Sequence, residues 1–265
     1  MKKFAIIGAG NMGGALARGL ISRGVCSADE IVCTAKSGAT LERIAADVPG
    51  IGTSKDNRAA VESAETVVLA VKPRLAESVL RDEIGAPALA SAGALVSVAA
   101  GVSLARLRAA AGVPALPIFV AIPNTAIAVA QSMTFVAADD VADEAARARV
   151  LGVFSRLGKA VLVPEAQLAA GTAVASCGIA FAMRYARAST EGGVELGLRS
   201  DVALEAVLQT MKGAAELLAA GGEHPESAID KVTTPGGITI RGLNAMEEGG
   251  FSASVVRGLR ASCSR

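Results

Sequence analysis

Two stretches of the chain hold residue types at spacings that chemistry can use. In Val232-Thr-Thr-Pro-Gly-Gly-Ile-Thr-Ile-Arg-Gly-Leu243, a Pro235-Gly236-Gly237 turn stands directly before a helical pattern. A helix start behind two glycines is a carboxylate cradle, because backbone amides from about Gly237 to Thr239 bind a small anion without any side-chain charge. The Thr239 hydroxyl then sits where it can donate to a reacting atom. The competing reading is a capped turn that only starts a helix, with Thr233 or Thr234 as the cap. At the other end, Phe4 to Arg18 reads FAIIGAGNMGGALAR: an apolar run enters Gly8-x-Gly10-x-x-Gly13 and a small-residue helical pattern follows. Strand, tight turn and helix arrive in the order a dinucleotide-binding unit requires. Gly8 permits the turn, Gly10 lets the backbone approach a pyrophosphate, and Gly13 lets the helix lie against the strand. The competing reading there is a glycine turn in some other α/β protein.

Little else offers acid, base or metal chemistry. His224 and Tyr185 are the only residues of their kinds, and the lysines of the second half are Lys159, Lys212 and Lys231. Cys26, Cys33, Cys177 and Cys263 form no C-x-x-C pair and cannot complete a metal set with a single histidine, so no metal site is expected. They read as reduced thiols of a cytoplasmic protein. Lys plus Arg (26) nearly balance Asp plus Glu (25), and a net charge of +1 leaves no electrostatic footprint for nucleic acid or an anionic membrane. The first strand pattern begins so near Met1 that no secretory signal is expected. Gly112 to Ala138 is uncharged, but Pro114, Pro117, Pro123, Asn124 and Gln131 interrupt it, which points to buried strands and turns rather than a membrane span. The expected partners are small molecules.

Both stretches need elements to position them. After a first helix ending near Gly24, Glu30 to Thr34 reads as a short parallel strand, apolar on both faces. Its tip continues as Ala35-Lys36-Ser37, where an NAD site usually places Asp or Glu for the ribose 2′-hydroxyl. A cation and a hydroxyl suit a 2′-phosphate, so NADP is favoured over NAD. Lys36 taken alone is also an ordinary solvated loop lysine. Further strands are expected at Thr66 to Val71, Ala94 to Ala99, around Ala115 to Ile122, Ser132 to Ala137 and Ala160 to Val163, with helical stretches between them, Asp139 to Leu157 included. The pattern is α/β, a doubly wound sheet of the Rossmann type. Its corners Val71-Lys72-Pro73, Ala99-Ala100-Gly101 and Ile122-Pro-Asn-Thr125 should face the same crevice as Gly8 to Gly13, because open sheets bind ligands outside the carboxyl ends of their strands. Lys72 is either a phosphate or ribose contact or a lysine ahead of a turn.

From Glu165 onward no strand pattern recurs. Long helices are expected over Glu165 to Leu196, Ser200 to Ala220, Ile238 to Glu247 and Ala253 to Cys263. The chain therefore divides near Pro164 into a dinucleotide-binding domain at 1–163 and an all-α domain at 164–265. Leu168 to Ala182 carries no charge on any side. Such a helix needs cover all round; the small helical domain supplies it only partly, and a second copy of the chain is expected to cover the rest as an obligate homodimer.

Taken in order, Gly8-Ala-Gly-Asn-Met-Gly13, Ala70-Val-Lys-Pro73, Ala99-Ala-Gly101, Pro123-Asn-Thr125, Thr172-Ala173 with Gly178 and Ala180, and Thr234-Pro-Gly-Gly-Ile-Thr239 resemble the pyrroline-5-carboxylate reductase family over essentially the whole length. The resemblance implies reduction of 1-pyrroline-5-carboxylate to L-proline by NADPH or NADH, the last step of proline biosynthesis. It also implies a Rossmann domain followed by a helical dimerisation domain, with dimers interlocked through the latter and often assembled into decamers. It places the cofactor on Ile7, Gly8, Ala9, Gly10, Asn11 and Met12, on Lys36 and Ser37, on Asn57, on Ala70, Val71, Lys72 and Pro73, and on Val98, Ala99 and Ala100. Substrate carboxylate falls to Gly236, Gly237, Ile238 and Thr239, with Thr239 hydrogen-bonded to the imine nitrogen as the catalytic residue. A cyclic imine can arrive already protonated, so hydride transfer needs positioning more than a side-chain acid.

The chain departs from the family at two places. It has Ala175-Ser-Cys-Gly-Ile-Ala-Phe181 where Ser-Gly-Ser-Gly-Pro-Ala-Tyr is usual, and Ile122-Pro-Asn-Thr-Ala126 where Met-Pro-Asn-Thr-Pro is usual. Loss of the proline is expected to loosen the turn at the start of the long helix, and Phe181 lacks a hydroxyl. A β-hydroxyacid dehydrogenase shares the overall plan but relies on a lysine in the interdomain helix, and Glu165 to Arg199 contains none. The remaining alternatives are a reductase of a related cyclic imine acid and a non-catalytic NADP-binding protein.

Overall fold

The computed structural model describes residues 1–263 and divides into two compact units, Met1–Ser176 and the helices from Cys177 onward. The first unit contains strands β1 (Lys2–Ile7), β2 (Ile31–Thr34), β3 (Gly52–Ser54), β4 (Ala64–Leu69), β5 (Ala94–Ser97), β6 (Ile118–Ile122), β7 (Ser132–Ala138) and β8 (Gly158–Leu162). They form one sheet in the order β3-β2-β1-β4-β5-β6-β7-β8, parallel throughout except where β7 runs antiparallel to β6. This is the expected doubly wound arrangement, and its order reverses between β1 and β4. Residues of β2, β5 and β6 are buried at every position, as strands covered on both faces must be. β3 has only three residues, too few for a strand pattern to be read from its sequence.

Helices α1 (Asn11–Ser22), α2 (Gly38–Asp47), α3 (Asn57–Glu62), α4 (Ala76–Ser78), α5 (Ala86–Leu89), α6 (Leu104–Ala111), α7 (Glu144–Ser155) and α8 (Leu168–Gly171) complete this unit. The period of two along β1 sorts them into layers. Phe4 and Ile6 pack with Leu16 and Leu20 of α1 and Phe154 of α7, whereas Ala5 and Ile7 pack with Val61 of α3, Leu80 and Leu107 of α6. A wide six-residue turn with π-type hydrogen bonding, Val79–Ile84, follows α4 and closes at Gly85, whose φ of +82° favours glycine.

The unit extends to Ser176, past the division expected at Pro164, because side chains tie 165–176 to the sheet. Leu168, Ala173 and Ala175 are buried. Gly171 lies so close to the Phe135 ring that a Cβ would stand 2.6 Å from it. Asn124 Nδ2 donates to Ala175 O at 3.2 Å, and Ser176 Oγ donates to Pro123 O at 3.2 Å.

The proline-rich entry to β6 is held by one arginine. Arg108 donates to the carbonyls of Val113 (2.6 Å), Pro114 (3.2 Å) and Leu116 (2.6 Å) and pairs with Asp139. Asp139 Oδ1 accepts in turn from the amides of Ile118 (3.3 Å) and Ala142 (3.1 Å). Arg108→Ala leaves a largely buried carboxylate and three carbonyls without this partner, and is expected to destabilise the unit by about 3 kcal/mol. Urea unfolding checks it, and a loss below about 0.5 kcal/mol would show that the loop is held by its prolines alone.

The second unit consists of α9 (Gly178–Glu195), α10 (Ser200–Gly221), α11 (Pro225–Lys231), α12 (Ile238–Glu248) and α13 (Phe251–Cys263). α9 stops at Gly197 (φ +95°), where Gly197 N donates to Val194 O (2.9 Å) and Leu198 N to Gly193 O (3.0 Å), a Schellman closure. α10 then returns against α9 at Gly193, where a Cβ would meet the Ala203 methyl at 3.1 Å. Tyr185 and Phe251 make an edge-to-face pair with centroids 6.4 Å apart. Among the described residues of this unit, only Ala186 and Ala203 are buried, while Met183, Leu208, Leu217 and Val256 are exposed. It has almost no core of its own.

Candidate active site

The carboxyl ends of β1, β2, β4 and β5 are tied together by backbone. Gly8 N and Ala9 N donate to Thr34 O (3.1 and 2.7 Å), Ala70 N donates to Ile7 O (2.8 Å), and Val98 N donates to Leu69 O (3.0 Å). The segments Ile7–Met12, Ala70–Pro73 and Val98–Ala100 therefore share one edge of the sheet. Gly8 has a φ of +103°, and a Cβ on it would lie 2.7 Å from Ala70 O. A Cβ on Gly13 would collide with Gly8 O, so the glycine keeps α1 against the turn. Gly10 differs from both. Its φ is −71°, and a Cβ there would meet nothing within 4 Å.

That open space borders a cleft of about 240 Å³ whose lining includes Ala9, Gly10, Asn11, Arg18 and Arg43. Gly10 caps α1 with no side-chain hydrogen bond, so no cap competes for the first-turn amides. A dinucleotide pyrophosphate fits this place on two counts, bare backbone and available amides at the positive end of a twelve-residue helix; of the two neighbouring guanidinium groups, Arg18 pairs with Asp47 of the same lining at 3.1 Å.

Lys36 and Ser37 lie exposed at the tip of β2, and Asn57 opens α3 just beyond β3. Lys36 and Asn57 converge on a residue that sequence reasoning missed. Lys36 Nζ pairs with Glu83 Oε1 at 3.0 Å, and Asn57 Nδ2 donates to Glu83 Oε2 at 2.5 Å. Nothing along the chain announces Glu83, because it comes from the Val79–Ile84 turn and meets Lys36 only in the fold. Lys72 and Pro73 are exposed at the tip beyond β4.

In the second unit, Thr234-Pro235-Gly236-Gly237 is a turn closed by Gly237 N to Thr234 O at 2.9 Å, with Gly236 at φ +72°. Proline followed by a positive-φ glycine is the type II pattern. A Cβ on Gly237 would stand 2.5 Å from Thr234 Oγ1, so this position too excludes side chains. α12 begins immediately with Gly237 as its cap and without a side-chain bond. The competing reading, in which Thr233 or Thr234 caps the helix, is not what the structure has: the Thr233 hydroxyl donates back to Asp230 O (3.1 Å), and Thr234 supplies the turn's carbonyl. Ile238 and Thr239 are exposed in the first turn of α12.

Burial pushes the Cys33 thiol up to about 12 and, with Glu30 nearby, the Cys26 thiol up to about 11, so both stay protonated at neutral pH.

Residues 165–265 match the family model described as pyrroline-5-carboxylate reductase dimerisation, and residues 3–101 match that described as NADP oxidoreductase coenzyme F420-dependent. The pyrroline-5-carboxylate reductase of Synechocystis sp. is 35% identical to this chain, over 99% of the chain and 96% of that protein. This chain belongs to the pyrroline-5-carboxylate reductase family. Pyrroline-5-carboxylate reductase 1 of Dictyostelium discoideum is 36% identical over 97% of the chain, which spans about half (48%) of that relative's length. The crystal structure of Plasmodium falciparum pyrroline carboxylate reductase with NADP bound superposes with a TM-score of 0.87 at 25% identity, covering 99% of this chain and 95% of that one.

The two departures from the usual pyrroline-5-carboxylate reductase motifs have local structural readings. Ala126, at a position where the family usually has proline, donates its N–H to Asn124 Oδ1 at 3.0 Å, a bond proline could not make. Ile179 lies in the first turn of α9, behind the π-type turn Thr172–Cys177. Loosening expected from the missing proline is countered by the Asn124 and Ser176 bonds that fasten this turn from Ala175 and Ser176.

Proposed function

We propose that this chain reduces 1-pyrroline-5-carboxylate to L-proline, the last step of proline synthesis, with NADPH preferred over NADH. The Thr234–Gly237 turn carries this function, because it delivers an uncapped helix start beside a hydroxyl in a segment otherwise poor in acid–base groups. Amides of Gly237, Ile238 and Thr239, with the backbone of Gly236, would hold the substrate carboxylate. The Thr239 hydroxyl can donate to an imine nitrogen or accept from an iminium N–H, and so orients the ring in either protonation state. NADPH, when bound, would supply a hydride to the carbon of the protonated imine, leaving the secondary amine of proline and NADP⁺. Ile7–Met12, Ala70–Pro73 and Val98–Ala100 would hold the cofactor, with Lys36, Ser37 and Asn57 at its ribose 2′ end. The domain ending near residue 163 thus serves the dinucleotide, and the helices that follow serve the substrate.

The deciding assay is NADPH oxidation with pyrroline-5-carboxylate, set against its six-membered homologue. Faster turnover of the five-membered ring is expected. NADPH binding without turnover of either imine would mean a protein that holds the dinucleotide and catalyses nothing, and faster turnover of the larger ring would reassign the substrate.

The second unit's bare apolar surface supports a homodimer, because two buried alanines cannot stabilise five helices. The segment Glu165–Glu195 is long and apolar enough, by length and composition, to cross a membrane, yet it lies in the dimerisation match. Burial against a second copy accounts for its composition. Sedimentation at micromolar concentration is expected to show dimers or decamers built from them, and a stable monomer would remove the proposal. Four free cysteines, two of them buried, suit a cytoplasmic protein.

A further inference from the structure

Glu83 occupies a position where neither the glycine fingerprint nor the tip of β2 calls for an acid. It is placed firmly: Val79, Leu80 and Ile84 of its turn are buried, and Arg58 Nε donates to Ile84 O at 3.0 Å, next to the Asn57 bond. Lys36 has a side chain 77% exposed against 34% for Glu83, so the carboxylate is the fixed member of the pair and the lysine is the one drawn to it. We infer that Glu83 determines cofactor specificity: by pairing with Lys36 and Asn57 it offsets the charge that selects a 2′-phosphate and keeps the site open to NADH.

The inference rests on the reading that the Lys36–Ser37 corner receives the ribose 2′ position. A 2′-phosphate must draw Lys36 away from Glu83 or sit beside a like charge, and both outcomes weaken NADPH. A ribose 2′-hydroxyl instead needs an acceptor, the part usually taken by an acid at the end of β2. This chain has Ala35-Lys36-Ser37 there, and Glu83 brings the carboxylate from a different segment.

The test is equilibrium binding of NADP⁺ and NAD⁺ by calorimetry to the full chain, for wild type, Glu83→Gln, Glu83→Ala and Lys36→Ala, with kcat/KM for both reduced cofactors alongside. Glu83→Gln is expected to tighten NADP⁺ roughly tenfold with NAD⁺ unchanged or weaker, and the gain should shrink as salt rises. Glu83→Ala, which lacks any acceptor, should tighten NADP⁺ and weaken NAD⁺. Equal changes for both cofactors, or a ratio within twofold of wild type, would reduce Glu83 to a structural residue and overturn the inference. Lys36→Ala should weaken NADP⁺ alone. If it discriminates while the Glu83 variants do not, only the Glu83 role falls; if it affects neither cofactor, the reading of the corner falls and takes the Glu83 role with it.

Discussion

Gly10→Val is expected to raise the dissociation constant for NADPH by at least about 100-fold while changing stability by no more than about 1 kcal/mol. The three fingerprint glycines differ in what a side chain would meet. At Gly8 and Gly13 a Cβ runs into backbone oxygen, so substitutions there disturb the packing of β1, β4 and α1 and say little about ligands. At Gly10 the backbone has a φ of −71° that valine adopts readily, and the new side chain points into empty space. What it displaces is the proposed pyrophosphate. Fluorescence titration with NADPH and thermal unfolding on the same preparation separate the two effects. Undiminished affinity would move the pyrophosphate off the start of α1, and a large loss of stability would show that the space at Gly10 is needed by the fold.

Thr239→Ala is expected to lower kcat by about 100-fold, with the affinity for NADPH unchanged. The hydroxyl is proposed to act on the nitrogen whose charge and geometry change during reduction, so its loss should appear in turnover more than in binding. Alanine is a better helix former than threonine in the first turn of α12, and Thr239 is exposed, which makes unfolding a poor alternative explanation. Thr239→Ser keeps the hydroxyl and should recover most of the rate. If kcat for the alanine variant matched wild type, the amides of Gly237 and Ile238 would remain as carboxylate ligands, and the orienting group would have to be sought elsewhere.

Different parts of the chain were legible to different degrees, for identifiable reasons. β2, β5 and β6 could be read because a strand covered on both faces becomes a short, uncharged and largely apolar run. The two glycine turns could be read because positive φ and close backbone approach admit few residue types. α11, only seven residues long, and β3, three residues long, are too short to display a period. Residues 165–176 pack with the sheet through contacts of Leu168, Ala173 and Asn124 that join distant segments, whereas the sequence shows only where strand patterns cease.

Gly8, Gly10, Gly13, Pro235, Gly236 and Gly237 determined by themselves that two helices begin behind glycine turns, because those backbone shapes are local and few residues can adopt them. The alternation and length of the apolar runs likewise determined a doubly wound sheet followed by helices. Tertiary structure alone decided that Glu83 meets Lys36 and Asn57, that Arg108 gathers three carbonyls and Asp139, and that Gly10 faces open space while Gly13 does not. Such pairings join segments distant along the chain, and their energies depend on separations of a few ångströms that no local pattern of residues encodes.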